Sequence, residues 1–158
     1  MAEPLAEQIL HKIDQAAQLY YRLILVVAPS GMGKTMALRE VSKRLGFQYI
    51  NINLELSQRL LVLTERQRSL QVSRLLNEIL EENDTQLVLL DNTELLFNTS
   101  LKQDPLRLLQ GISRNRTIVA SWNGSIENDH LTYARPDHPE YRRYPTTGLL
   151  VTSVEQHG

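Results

Sequence analysis

A chain of 158 residues is long enough to bury one sizeable core and short for two, so a single domain is expected over 1–158. It holds no cysteine, which excludes disulfides and zinc-thiolate clusters, and its formal net charge of −1 gives no global footprint for a phosphate backbone, so direct nucleic-acid binding by this chain alone is not supported. The N-terminal segment carries acids where a secretory leader is basic, and the longest clearly apolar stretch, 23–28, is far too short to cross a bilayer; a cytoplasmic protein with no membrane segment is expected.

Leu5, Ile9, Ile13, Ala17 and Tyr20 recur at helical spacing and predict an amphipathic helix over 5–20, within an N-terminal segment 1–21 that precedes a core over 22–153. Leu23, Ile24, Leu25, Val26 and Val27 form an apolar run of strand length, as expected of a parallel strand covered on both faces. A glycine-rich turn follows at once. Residues 35–45 read as a helix stopped by Gly46, and 47–53 alternate like a second strand. Residues 54–83 are leucine-rich with helical period. Within them Thr64 and Gln67 have capping-box spacing for a helix through Glu82, whose buried stripe includes Val72, Leu75, Leu76 and Ile79.

Leu87, Val88, Leu89 and Leu90 make a further apolar strand that ends on Asp91. Asp104 and Pro105 supply an N-cap and first-position proline for a short helix to Ile112, and 117–121 is another strand. Residues 122–147 contain Gly124, Pro136, Pro139 and Pro145 and show no periodic register, which predicts mostly loop with at most one short helix. A last strand is expected over 148–152, with no C-terminal helical lid after it. Five strands separated by helical or loop crossovers predict a three-layer α/β fold with a mainly parallel sheet.

Ala28, Pro29, Ser30, Gly31, Met32, Gly33, Lys34 and Thr35 match the phosphate-loop pattern G-x-x-x-x-G-K-[ST], between a strand and a helix as that motif requires, except that alanine replaces the first glycine. Alanine resists positive φ, which makes Ala28 the one departure. The glycines let successive backbone N–H groups curl around phosphates, and the positive end of the following helix points at them. Lys34 is expected to meet the β- and γ-phosphates and Thr35 to ligate magnesium, with contacts to the nucleotide running from Ala28 through Met36; ATP and Mg2+ are the expected cofactors.

Asp91, at the end of an apolar strand, has the place of a Walker B carboxylate that orients magnesium. One strand-helix unit separates it from the phosphate loop, the order found in the ASCE and AAA+-like class of P-loop NTPases. Such enzymes often follow this aspartate with a water-polarising glutamate; here the next residue is Asn92, whose amide cannot accept a proton. Glu94 and Glu55 are candidate substitutes, each also readable as a solvated carboxylate. Asn123 has the place of a γ-phosphate sensor or, with Gly124, of an ordinary turn. Arg142 and Arg143 precede the last expected strand, where AAA+ proteins carry an arginine finger, or are exposed charges in a polar loop. The expected catalytic set is Lys34, Asp91, Glu94, Asn123, Arg142 and Arg143, with Thr35 and Asp91 on the metal. Trp122 reads as core or partner contact, and His130 and His138 have no metal-site spacing.

Taken together, APSGMGKT, LVLLDNTELLF, VASWNG and LTYARPDHPEYRRY resemble BrxF, a family of small P-loop ATPases of type III BREX phage-defence systems, over nearly the whole chain. The resemblance implies a bacterial cytoplasmic protein acting beside a larger ATPase, a DNA methyltransferase and an alkaline-phosphatase-like protein to mark host DNA and block phage replication. The expected activity is slow or partner-dependent ATP hydrolysis, with ATP-dependent self-association into a homo-oligomer. Two alternatives stand beside it. One is a small-metabolite kinase, although Asn51 and Asn53 stand where such kinases carry acids; the other is a nucleotide-gated assembly switch with little hydrolysis.

Overall fold

The apolar run after Arg22 becomes β1 (Leu23–Ala28), buried at every position. In this computed structural model, which describes residues 3–82 and 85–154, it lies inside a parallel sheet. The chain runs α1 (Leu5–Ala16), β1, α2 (Lys34–Leu45), β2 (Gln48–Asn51), α3 (Ile52–Leu60), α4 (Glu65–Glu82) and β3 (Leu87–Asp91). Two 3-10 turns, Thr93–Phe97 and Thr99–Leu101, lead to α5 (Pro105–Ile112), β4 (Thr117–Glu127), β5 (His130–Tyr133), β6 (Arg142–Pro145) and β7 (Leu150–Ser153).

Five strands form the expected parallel sheet in the order β2-β3-β4-β1-β7, so the P-loop strand and the Asp91 strand flank β4. Alternate side chains feed opposite faces: Leu25 and Val27 join the cluster under α3, α4 and α5, while Ile24 and Val26 join the one under α1 and α2. Those two layers of helices with the sheet between them are the three-layer α/β fold. Among the described residues no helix is long and apolar enough to cross a membrane.

Several boundaries differ from expectation. Helix α1 stops at Ala16 rather than Tyr20, because the apolar face runs out: Tyr20 is 65% exposed, and i→i−3 bonds from Gln18 and Leu19 close a final turn. Strand β2 ends at Asn51 because the Asn51 side-chain oxygen accepts from the Leu54 N–H at 3.1 Å and starts α3 directly. The segment 54–83 is therefore divided between two helices; its last residue, Asn83, lies outside the described residues. The capping box forms as expected, with Gln67 N–H donating to Thr64 Oγ1 at 3.2 Å and Thr64 N–H to Gln67 Oε1 at 2.9 Å.

The main correction concerns 122–147, which is not mostly loop. Strand β4 continues to Glu127 and pairs antiparallel with β5, which pairs with β6, forming a three-stranded ribbon beyond the parallel sheet. The turn between Glu127 and His130 is Asn128-Asp129, both at positive φ (51° and 62°), as a two-residue type I′ hairpin needs. Gly124 is required where the ribbon begins, since a Cβ there would lie 1.9 Å from the Thr132 carbonyl oxygen. That same oxygen accepts the Trp122 indole N–H at 3.0 Å, so the fully buried tryptophan is satisfied inside the core.

Candidate functional site

The loop after β1, the end of β3, Asn123 where β4 leaves the parallel sheet and the start of α2 converge on one cavity of about 240 Å³. Gly31 and Gly33 hold φ of 81° and 89°, so glycine is demanded by backbone conformation, whereas a Cβ at either would meet open space. Ala28 is different. It is the last residue of β1 and is not among the positive-φ residues, so its methyl group meets no conformational penalty and the departure from the glycine pattern is harmless. Helix α2 opens immediately after Gly33 with no acid in its first turn, leaving its positive end free to face an anion.

Lys34 is buried and folds back on the loop, its Nζ donating to the carbonyls of Ala28 at 2.7 Å and Pro29 at 2.9 Å. Burial lowers its pKa, an effect only partly opposed by the charges of Glu94 and Asp91. Asp91, 2% exposed, is gripped at both oxygens. Its Oδ2 accepts from Thr35 Oγ1 at 2.6 Å and from the Tyr49 hydroxyl at 2.7 Å, and its Oδ1 from the Asn92 N–H at 2.9 Å. Burial alone would raise the Asp91 pKa; hydrogen bonds from Thr35, Tyr49, the Asn92 backbone and Ser121 outweigh it and hold the carboxyl below its ordinary value.

Asn92 sits at φ 56°, ψ 52° and turns the chain into the 3-10 turn that aims Glu94 at the cavity. Asn123, the register partner of Ala28 across β1 and β4, donates its side-chain amide to Glu94 Oε1. Ser30, Gly31, Gly33, Lys34, Thr35, Met36, Asp91, Asn92, Glu94 and Asn123 thus border one space. Met32, Gly33 and Met36 border a larger groove of about 730 Å³, whose walls join the apolar Pro4, Leu5, Ala6 and Val154 to Glu3, Gln8 and Glu40. Ala28 and Pro29 line a separate hollow against Ser125 and Ile126.

Other candidates lie elsewhere. Glu55 is on α3, paired with Arg59 at 3.1 Å, and does not border the cavity. Arg142 and Arg143 are in β6, not in a loop leading into the last strand, because the ribbon takes up that segment. Arg142 donates to the Gln103 carbonyl at 2.8 Å, and the Arg143 guanidinium lies 3.2 Å from His130 Nδ1. Neither arginine borders the cavity of its own chain. Asn51 spends its side-chain oxygen on the α3 cap. No motif in the sequence marks Tyr49 or Ser121: β2 pairs Asn51 with Asp91, and the Tyr49 phenol, from the position opposite Leu89, reaches the carboxylate diagonally at 2.7 Å.

A buried strand, a glycine turn, a lysine, a hydroxyl and a strand-end carboxylate in this arrangement define a P-loop NTPase site. The chain belongs to the family described as "ATPase family associated with various cellular activities (AAA)", which it matches over residues 24–118. No curated protein matches it. Similar solved structures include C. elegans PCH-2, with 19% identity over 96% of this chain and 40% of that one at a TM-score of 0.48. A DNA replication initiation factor matches with 16% identity over 94% of this chain and 44% of that one at a TM-score of 0.50, a likeness of fold alone. A katanin structure matches with 17% identity over 72% and 37% at 0.39. The chain spans less than half the length of each.

Proposed function

We propose that the protein binds ATP with magnesium in the cavity between the phosphate loop and Asp91, and hydrolyses it slowly or when a partner engages. The observation that carries this reading is the convergence of Thr35 Oγ1 and Asp91 Oδ2 at 2.6 Å beside the positive end of α2. A hydroxyl and a carboxylate are the hard oxygen donors magnesium takes. Magnesium bound there would neutralise charge on the β- and γ-phosphates.

Lys34 would leave its loop carbonyls to meet the same phosphates, and the base and ribose would lie toward the groove past Met32 and Met36. In hydrolysis, water attacks the γ-phosphorus, the bond to the β-phosphate oxygen breaks, and Glu94 takes the water's proton. Asn92 cannot take that role, and Glu94 is held by Asn123. That tie also favours a second reading, an assembly switch that binds ATP and seldom turns it over. Calorimetry tests the main reading: Lys34→Ala should lose most of the ATP affinity of the wild type at fixed salt, and equal affinity would remove the assignment.

The four segments named above support placing the protein in a BREX defence system, acting in the cytoplasm beside a larger ATPase, a methyltransferase and a phosphatase-like protein. A host carrying the whole system should lose phage resistance when this chain carries Lys34→Ala. Unchanged plaque counts would sink that placement.

A further inference from the structure

The geometry points to Tyr49 as a positioning residue that fixes the Asp91 carboxylate for magnesium. This rests on the ATP and magnesium reading above.

Asp91 Oδ2 receives two hydroxyl donors, Thr35 at 2.6 Å and Tyr49 at 2.7 Å. They come from different elements: Thr35 from the first turn of α2, Tyr49 from β2, the outermost strand of the parallel path. Thr35 and Asp91 border the cavity and Tyr49 does not, so the phenol holds the carboxylate from outside the space that would take the ion. A carboxylate is a loose rotor about its last side-chain bond, with a broad torsional profile. The Asn92 N–H on Oδ1 and the two hydroxyls on Oδ2 fix both its height and its plane. Tyr49 is itself braced, since the Arg39 guanidinium from α2 lies 5.1 Å from its ring centroid and the ring packs on the α1/α2 face of the core. Groups that orient a metal ligand without touching the metal typically change metal affinity by about 10–100-fold when removed.

The experiment titrates magnesium against binding of a fluorescent ATP analogue to the wild type, Tyr49→Phe, Asp91→Asn and the double variant. Tyr49→Phe keeps the ring and its Arg39 contact, and should raise half-saturating magnesium by roughly tenfold while leaving affinity in chelator unchanged. In the Asp91→Asn background the same substitution should add little, because both changes act through one carboxylate. An unchanged magnesium requirement in Tyr49→Phe, additive effects in the double variant, or an equal loss of affinity in chelator would each overturn the inference while leaving the nucleotide reading intact. Wild-type binding that ignores magnesium would overturn the reading itself and the inference with it.

Discussion

Asn123 holds Glu94: the side-chain amide at the end of the β1-paired part of β4 donates to Oε1 of the carboxylate that the 3-10 turn after Asp91 presents to the phosphate cavity. The two residues are the sensor and base candidates of the sequence, and here they are one hydrogen-bonded unit. The amide sets the carboxylate's orientation through Oε1, so an attacking water would have to be met by Oε2 in the position that Asn123 dictates.

With Asn92 where a water-polarising glutamate is common, turnover by the chain alone should fall well below the ~10 per second typical of enzymes, and Glu94→Gln should lower it at least about tenfold further while leaving ATP affinity near wild type. Phosphate-release assays with calorimetry in parallel decide this. Wild-type turnover in Glu94→Gln would dismiss Glu94 as the proton acceptor.

The turn that carries Glu94 is anchored by aromatic packing. Phe97, at its end, stacks on Tyr133 with ring centroids 3.5 Å apart and meets Trp122 edge-on at 5.0 Å. Phe97→Ala should destabilise the fold by about 3–5 kcal/mol, the usual range for emptying a buried aromatic site, as read by urea unfolding. A loss under about 1 kcal/mol would show that the cluster collapses around the gap rather than holding the turn.

Burial, with the charges of Glu140 and Glu94, raises the Tyr133 pKa to about 12. A folded pKa raised above the unfolded value of about 10 means the folded state keeps a proton that the unfolded state releases. The contribution is complete below about pH 10 and disappears as pH climbs toward 12. Tyr133→Phe should flatten the fall in urea-unfolding stability across that window by up to about 1.4 kcal/mol per pH unit relative to wild type. Parallel curves for the two proteins would contradict the raised phenol.

The parallel sheet and the phosphate site were legible because their signals are local. An apolar run such as Leu87 to Leu90 is a buried strand with few alternatives, and Gly31, Gly33, Lys34 and Thr35 carry a motif whose spacing is itself the chemistry. The ribbon was not. Its turn, Asn128-Asp129, lacks the glycine that advertises a type I′ hairpin, and Pro136 and Pro139 in the β5–β6 connection suggested loop for the whole segment. Tyr49 was invisible for another reason: its role depends on the β2–β3 register, a long-range pairing that no window of sequence contains. The helical segment from Leu54 divides at the cap that the Thr64 and Gln67 spacing marks, while the start of the first helix, set by Asn51, lies ahead of the expected boundary.

Placement of the two arginines separates their expected roles. Arg142 is half-buried and bonded to the Gln103 carbonyl, while Arg143 is exposed on β6, which pairs with β5 alone among the described strands. If one chain reaches the γ-phosphate held by another, the exposed guanidinium of Arg143 is the one placed to do so, on leaving His130. A phosphate that joins two chains in this way strengthens their contact, and its loss weakens it. The contact uses different surfaces on the two chains, so it closes into a ring or continues as a filament. Arg143→Ala should thus leave ATP affinity near wild type and reduce both ATP-dependent mass and turnover. Arg142→Ala should instead lower the urea midpoint, because it releases the bond between β6 and Gln103. Light scattering at concentrations well above nucleotide saturation reads the assembly. A monomer mass that stays constant across apo, ADP and non-hydrolysable ATP conditions would rule out self-association and move weight to a heteromeric partner or to the small-metabolite kinase reading.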